Sequence, residues 1–338
     1  MTANHQRSRL GRLTKHSIGA LITIVCLVVF FRQINLGDVV SALSSFDWKY
    51  LILGLASLAI GYAFRILRWS IMLKATGSKA DFAACSSPFL GSITLNNVLP
   101  FRIGDVVRAL VFPASMGISK TTATSSLIIE RLIDLITLLA CFAIGIFAIR
   151  QIEIPSELKT LALTLAGIGC VILLVGFFFS DVLGEFFFKL ANRSEPTQNS
   201  GKVYYVLGGL LHSFNAMSRP KTLLTMLCVS VVVWVGEAGL FYFILRGTGI
   251  DGSPIQALLV MSVATLSTLL PSSPGYVGTF HMAAFTAISL IGGTVIQAGS
   301  YAVIVHLALW LPTTLAGALA IWIYPELFKA AKFKISEV

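Results

Sequence analysis

The chain is 338 residues long, 56% hydrophobic and only 12% charged, with a formal net charge of +10. A soluble domain carries about 25% charged residues, so a soluble fold is excluded and lipid is the solvent that fits. A length that would hold about two soluble domains reads instead as one integral membrane domain over residues 1–338.

A spanning helix needs roughly 20 apolar residues. The N-terminus is basic (Arg7, Arg9, Arg12, Lys15) and leads into an apolar run at 18–31. Arg32 and Gln33 follow that run where small residues would mark a cleavage site, so it reads as an uncleaved anchor. A short helix on the outer side is expected at 38–46, and the next full span at 50–72. The apolar stretch 82–112 is interrupted halfway by NNVLPFRIGD (96–105). Spans at 121–149 and 161–180 follow, then a mixed interfacial segment at 182–220 with an amphipathic helix near 202–218. A span at 222–245, a second interrupted stretch at 254–291, broken at LLPSSPGYVG (269–278), and a span at 297–324 complete the chain.

Proline breaks a helix interior, and broken backbone at membrane depth survives only inside protein or beside water. Each interrupted stretch therefore reads as a helical hairpin that enters and leaves on one side, or as two short crossing helices; both readings stay open. Sorting Lys and Arg by the positive-inside rule, with six spans and a cytoplasmic N-terminus, places 19 of the 25 inside and five outside, with Arg131 within a span. The reading is an all-α polytopic protein of the cytoplasmic membrane with both termini cytoplasmic. This distribution also accounts for the +10 charge without nucleic acid, and anionic headgroups attract such loops.

The two breaks align. Asn96 to Leu269 and Asp105 to Gly278 are both 173 residues apart. A first half at about 48–150 and a second at about 221–325 each hold a span, a hairpin and a span, with the helix at 161–180 between them. If the hairpins do not cross, the second half runs opposite to the first, a pseudo-inverted repeat of pattern with negligible residue identity. Paired Pro/Gly interruptions at corresponding positions point to a transporter binding site. Pro100, Gly104, Pro271, Pro274, Gly275 and Gly278 would shape the broken backbone.

Ionisable groups cluster at these breaks. Each costs about 2.5–3.5 kcal/mol at mid-membrane on insertion scales, and such groups face protein or water and pair. Glu130 and Asp134, four apart, share a helix face, and Arg131 can pair with Asp134. That leaves Glu130 for Arg102 or Arg108. In the second half only Glu237 lies deep in a span. Such a cluster reads either as an ion-pair network pinning a broken helix or as a polar cavity whose arginines receive an anionic headgroup. Arginine suits that role because its planar fork takes phosphate oxygens bidentately. Arg65 and Arg68 lie near the cytoplasmic end of a span, where they can simply snorkel to the interface. The substrate-binding candidates are Arg68, Asn97, Arg102, Asp105, Arg108, Glu130, Arg131 and Asp134. No catalytic residue, cofactor or metal site is expected. His281 and His306 are far apart in sequence, and the five cysteines form no C-x-x-C pair.

Four ordered segments carry a resemblance: RILRWSIML (65–73), NNVLPFRIGDVVRALVF (96–112), ERLIDLITL (130–138) and PSSPGYVGTF (271–280). Over about residues 10–330 the chain resembles the lysylphosphatidylglycerol synthase transmembrane regions, also called flippase-like or UPF0104 proteins. The resemblance implies a lipid-translocating membrane domain. In the full-length synthases that domain moves aminoacylated phosphatidylglycerol and is joined to a soluble transferase; a stand-alone member without that transferase is the expectation here. Some stand-alone members are associated with polyprenyl-linked sugars. Where a glutamate often follows P-G-x-x-G, this chain has His281, so an acidic role is not carried over. The expected partner is a membrane lipid with a phosphate headgroup, and the expected activity its transport. The alternative is an intramembrane transferase on lipid, or a membrane partner of a lipid-modifying enzyme.

Overall fold

A computed structural model describes residues 23–30, 32, 37, 44–148, 156–193, 199–270 and 272–325. These form helices and connecting turns, with no strand among the described residues. Residues 23–30 are helical and belong to the first expected span. The basic N-terminus, most of the expected outer helix, Pro271 and the C-terminal tail lie outside the described residues.

In chain order the helices are α1 (Trp48–Ala75), α2 (Phe82–Val98), α3 (Ile103–Leu110), α4 (Phe112–Met116), α5 (Lys120–Ala148) and α6 (Ser156–Arg193). They continue as α7 (Asn199–Met217), α8 (Pro220–Gly247), α9 (Pro254–Ser267), α10 (Thr279–Leu290) and α11 (Val295–Ile323). By length and composition α1, α8 and α11 are apolar enough to cross a membrane. At about 1.5 Å per residue each exceeds the roughly 30 Å hydrocarbon core. They fall on the expected spans 50–72, 222–245 and 297–324, while the expected spans 121–149 and 161–180 fall on α5 and α6. Helix α6 does not stop at 180 but runs on to Arg193. Its aromatic C-terminal part packs on α7, with Phe187 stacked on Tyr204 and Phe188 edge-on to Tyr205.

The apolar side chains divide by location. Phe147, Trp322 and Val182 point outward at 82%, 77% and 68% exposure, whereas Arg68, Arg108 and Glu130 are buried. A soluble protein sorts the other way; here the outside is built for lipid and the charge is kept within.

Both interruptions fall where the sequence places them. Helix α2 ends at Val98, a 3-10 turn covers Pro100–Arg102, and α3 begins at Ile103. Helix α9 ends at Ser267, a turn covers Pro274–Tyr276, and α10 begins at Thr279. The starts of corresponding helices are capped at corresponding positions. Asp81 caps α2 and Ser253 caps α9, 172 residues apart. Ser119 accepts from the Thr122 N–H at the start of α5 and Thr294 caps α11, 175 apart. A side-chain oxygen there takes up an N–H that the helix leaves unpaired.

Packing between the halves repeats itself in the same way. Helix α1 crosses α8 at small residues, with Ser57 donating to the Gly236 carbonyl at 2.9 Å. A Cβ on Gly236 would lie 2.7 Å from the Gly61 Cα. Small residues let membrane helices approach closely, since lipid supplies no hydrophobic force between them. The first helix of each hairpin then packs on the last helix of the other half: α2 on α11, and α9 on α5. Glycine sits at both crossings. A Cβ on Gly317 would meet the Leu90 carbonyl at 2.1 Å, and one on Gly145 would meet Leu259 Cβ at 2.7 Å.

Gly104 is the tightest of these positions. A Cβ there would lie 1.8 Å from the Ser92 carbonyl oxygen and 2.7 Å from Asn96 Oδ1, across the two arms of the first hairpin. Overpacking costs about 1–3 kcal/mol. Gly104→Ala should therefore lower the thermal stability of the detergent-purified protein. Gly167→Ala, with nothing within 4 Å, should not. Equal melting curves for the two variants would contradict the close approach.

Candidate functional site

Lipid leaves a buried charge no water to pair with, so the cluster must be neutralised from within. Each of its four carboxylates meets an arginine. Asp134 Oδ1 accepts from Arg68 Nη1 at 2.8 Å, and its Oδ2 lies 3.7 Å from Arg65 Nη1. Arg65 Nη2 reaches Glu237 Oε2 at 2.6 Å, joining α1 to α8 of the other half. Glu130 Oε1 accepts from Arg108 Nη2 at 2.9 Å. Both oxygens of Asp105 accept from Arg131 Nη2 at 3.0 Å, and Asn96 Nδ2 donates to its Oδ1 at 2.9 Å. The expected Arg131–Asp134 pair is present at 3.9 Å, longer than the pair with Asp105.

Aromatic faces complete the environment of the guanidiniums. Arg65 lies 4.7 Å from the Trp234 ring and 5.7 Å from that of Tyr62. Arg108 sits between Trp69 at 5.2 Å and Phe89 at 4.9 Å. Such contacts are favourable when desolvated. Arg65 and Arg68 do not snorkel: Arg68 is fully buried and the Arg65 side chain is 11% exposed. The carboxylates of α5 and α8 hold them inward against the interface.

Between the hairpins lies a cavity of about 330 Å³. Its charged lining is Arg65, Arg102, Arg131, Asp134 and Glu237, and Asn96, Asn97, Thr265, Thr268 and Thr313 add neutral polar groups. Tyr62, Trp234, Tyr276 and Trp310 supply aromatic walls. Of the expected binding residues, Asn97, Arg102, Arg131 and Asp134 line this space, whereas Arg68 and Arg108 are not among its lining. Arg68 and Arg108 stand behind the wall, tied to Asp134 and Glu130. Asp105 holds Arg131 from beneath.

Arg102 differs from the other four arginines of the cluster. It alone has no carboxylate within 4 Å among the described residues, and it donates instead to the Thr268 hydroxyl at 3.1 Å. Five arginines face four carboxylates, so one positive charge is left over, and it lies in the cavity. The backbone of Arg102 is left-handed, with φ 51°. Tyr276 in the second turn is also left-handed, with φ 59°, and its ring lies 5.6 Å from the Arg102 guanidinium. These two residues are 174 apart, so corresponding points of the two turns touch.

The remaining turn residues behave as shaping elements. Pro100 and Pro274 each open a 3-10 turn. Gly275 and Gly278 have φ of 70° and 92°, a region that disfavours side chains. His306 Nε2 contacts the Gly275 carbonyl oxygen at 2.8 Å, and His281 Nδ1 accepts from the Gly278 N–H at 3.4 Å. The two imidazoles, distant in sequence, pack with ring centroids 4.4 Å apart. No group of three or more metal-ligating side chains occurs among the described residues.

Sequence reasoning left Arg65, Glu237 and the aromatic lining out of the binding set. A signal for the pair existed: an isolated carboxylate in an otherwise apolar span needs a cation, and Arg65 lies on the span at the corresponding place in the first half. The aromatic rings carry no such signal, because lipid-facing and cavity-facing rings read alike.

Comparison with known proteins gives the chain its family. The family model of the lysylphosphatidylglycerol synthase TM region matches residues 17–317. Glycosyltransferase AglD of Haloferax volcanii is 24% identical over 315 residues, covering 82% of this chain and 49% of that protein. The chain thus spans about half the length of that relative. UPF0104 membrane proteins of Methanothermobacter thermautotrophicus and Methanocaldococcus jannaschii are 24% and 21% identical. The matches cover 78% and 68% of this chain and 82% and 93% of theirs. No solved structure matches. With nearly its whole length matched, this helical membrane protein belongs to the lysylphosphatidylglycerol synthase TM region family.

Proposed function

We propose that the protein moves a lipid with a phosphate-bearing headgroup, anionic or polyprenyl-linked, across the cytoplasmic membrane, and that the headgroup binds at Arg102. The observation that carries this reading is the surplus charge. A guanidinium in a membrane-embedded cavity, with only a hydroxyl, a carbonyl and an aromatic face as partners, is a site for an anion. Arg131, whose side chain is 36% exposed, stands ready as a second donor. Arg65, Arg68 and Arg108 serve as the neutralised frame.

The transport architecture we infer has six spans and two re-entrant hairpins in an inverted repeat, with both termini cytoplasmic. The repeated caps, the exchanged packing of each hairpin on the other half and the touching turns at Arg102 and Tyr276 all support a two-fold relation. The positive-inside bias supports the orientation. Alternating access is then a rocking of the halves about the α1–α8 crossing.

A second reading is favoured by the likeness to Glycosyltransferase AglD: a membrane region that serves sugar transfer to lipid, as an intramembrane transferase or as the partner of a lipid-modifying enzyme. Product formed from a labelled sugar donor by the purified protein alone, without lipid translocation, would select the transferase; co-purification of an enzyme that forms it would select the partner.

In proteoliposomes carrying fluorescent anionic phospholipid, translocation should exceed that of empty vesicles, and Arg102→Ala should lower it at least tenfold while the protein elutes as a folded species. An unchanged rate would remove Arg102 as headgroup ligand. Asp134→Asn leaves Arg68 without its carboxylate and should cost about 3–5 kcal/mol of stability, read by denaturation in detergent. A loss of transport with stability intact would instead make Asp134 a ligand. In a cysteine-free background, Lys120→Cys should react with impermeant maleimide only from the cytoplasmic side and Thr294→Cys only from the outer side. Labelling from one common side would exclude the inverted repeat.

A further inference from the structure

The cavity has a charge specificity that follows from how its carboxylates are used. A headgroup with an ammonium needs a free carboxylate or an unoccupied aromatic cage. Both carboxylates lining the cavity are already engaged: Glu237 by Arg65 at 2.6 Å, and Asp134 by Arg68 at 2.8 Å. Three of the four aromatic walls are used as well, which leaves Trp310 as a single face and not a cage. Trp234 and Tyr62 carry the Arg65 guanidinium, and Tyr276 carries that of Arg102. An entering ammonium would meet the unneutralised Arg102 and would have to take a carboxylate from an arginine, leaving that arginine buried and unpaired. Beside Arg102 and Arg131 the lining offers neutral acceptors: the hydroxyl oxygens of Thr265, Thr268 and Thr313, whose protons are already donated within the protein, and the amide oxygen of Asn97.

The geometry points to a phosphodiester lipid whose headgroup beyond the phosphate is uncharged and hydroxyl-bearing, a polyol or sugar, with aminoacyl and ethanolamine headgroups excluded by charge. The phosphate takes the Arg102 fork, displacing Thr268 from it. The hydroxyls of the headgroup donate to the threonine and asparagine oxygens, and the Trp310 ring takes its C–H faces. This inference rests on the proposed translocation of a phosphate-bearing lipid and adds which headgroup the same cavity accepts.

The test uses the full chain, with phosphatidylglycerol as the probe, its lysyl ester as the cationic counterpart and phosphatidylethanolamine as the zwitterion. Two readouts separate recognition from transport: native mass spectrometry of detergent-purified protein with an equimolar mixture of the three, and dithionite-quenching translocation of acyl-labelled versions in proteoliposomes. Phosphatidylglycerol should be retained and translocated at least tenfold better than either amine-bearing lipid. Thr268→Glu, which supplies Arg102 with a carboxylate, should abolish that preference. Equal handling of all three, or preference for the lysyl ester, would overturn the headgroup assignment and leave translocation standing. Selective retention with no translocation would defeat the proposed transport and keep the recognition. Retention of none of the three would defeat the assignment. If soluble glycerol phosphate, at the same concentration, displaces phosphatidylglycerol completely, the site belongs to a free anion and the lipid assignment fails.

Discussion

Charges buried within a membrane protein have to find each other, and the fold around the cavity follows from that requirement. A lone ionised side chain at mid-membrane is expensive, and pairs are tolerated only when the geometry is good and each member stays paired. Arg65 bridges α1 to α8, Arg108 and Arg131 bind the first hairpin to α5, and Arg68 links α1 to α5. Removing Asp134 would strand Arg68 and removing Glu130 would strand Arg108, each of which has one carboxylate only among the described residues, so the network fixes the relation between a broken helix and three long ones. Close glycine contacts alone would allow the helices to slide. The ion pairs choose one register.

The second hairpin solves the same problem differently. Its turn has no comparable carboxylates and is held by neutral groups: His306 at the Gly275 carbonyl and His281 at the Gly278 N–H. The halves therefore share a backbone plan while differing in chemistry. One turn brings charge and the other brings an aromatic ring to meet it. The cavity between them takes most of its charge from the first half, at Arg65, Arg102, Arg131 and Asp134, and hydroxyls and aromatic rings from the second, at Thr265, Thr268, Thr313, Trp234, Tyr276 and Trp310.

How much of this was legible in the sequence depends on distance along the chain. The two breaks were readable because Pro and Gly act locally, and both turns fall at the positions the motifs indicate. The contact of Glu130 with Arg108 was one of two alternatives, narrowed by the shared helix face of Glu130 and Asp134. Snorkelling stayed open for Arg65 and Arg68 because their partners lie on other helices, 172 residues away for Glu237, and periodicity reports only neighbours on the same helix. The histidine pair was missed for the same reason: His281 and His306 meet only once α10 folds against α11. The length of α6 was underestimated because a polar ending was expected at 180, whereas aromatic contacts with α7 carry the helix to Arg193.

The left-handed backbone at Arg102 and Tyr276 has one more consequence. A non-glycine residue in that region costs on the order of 1–3 kcal/mol, and glycine would relieve it at once. Folding alone would therefore favour glycine at both turns, as it does at Gly275 and Gly278 nearby. Glycine at either turn would relax the backbone and lose the contact between the Arg102 guanidinium and the Tyr276 ring, 5.6 Å apart. Under the role proposed for Arg102, binding and stability then pull in opposite directions at this turn.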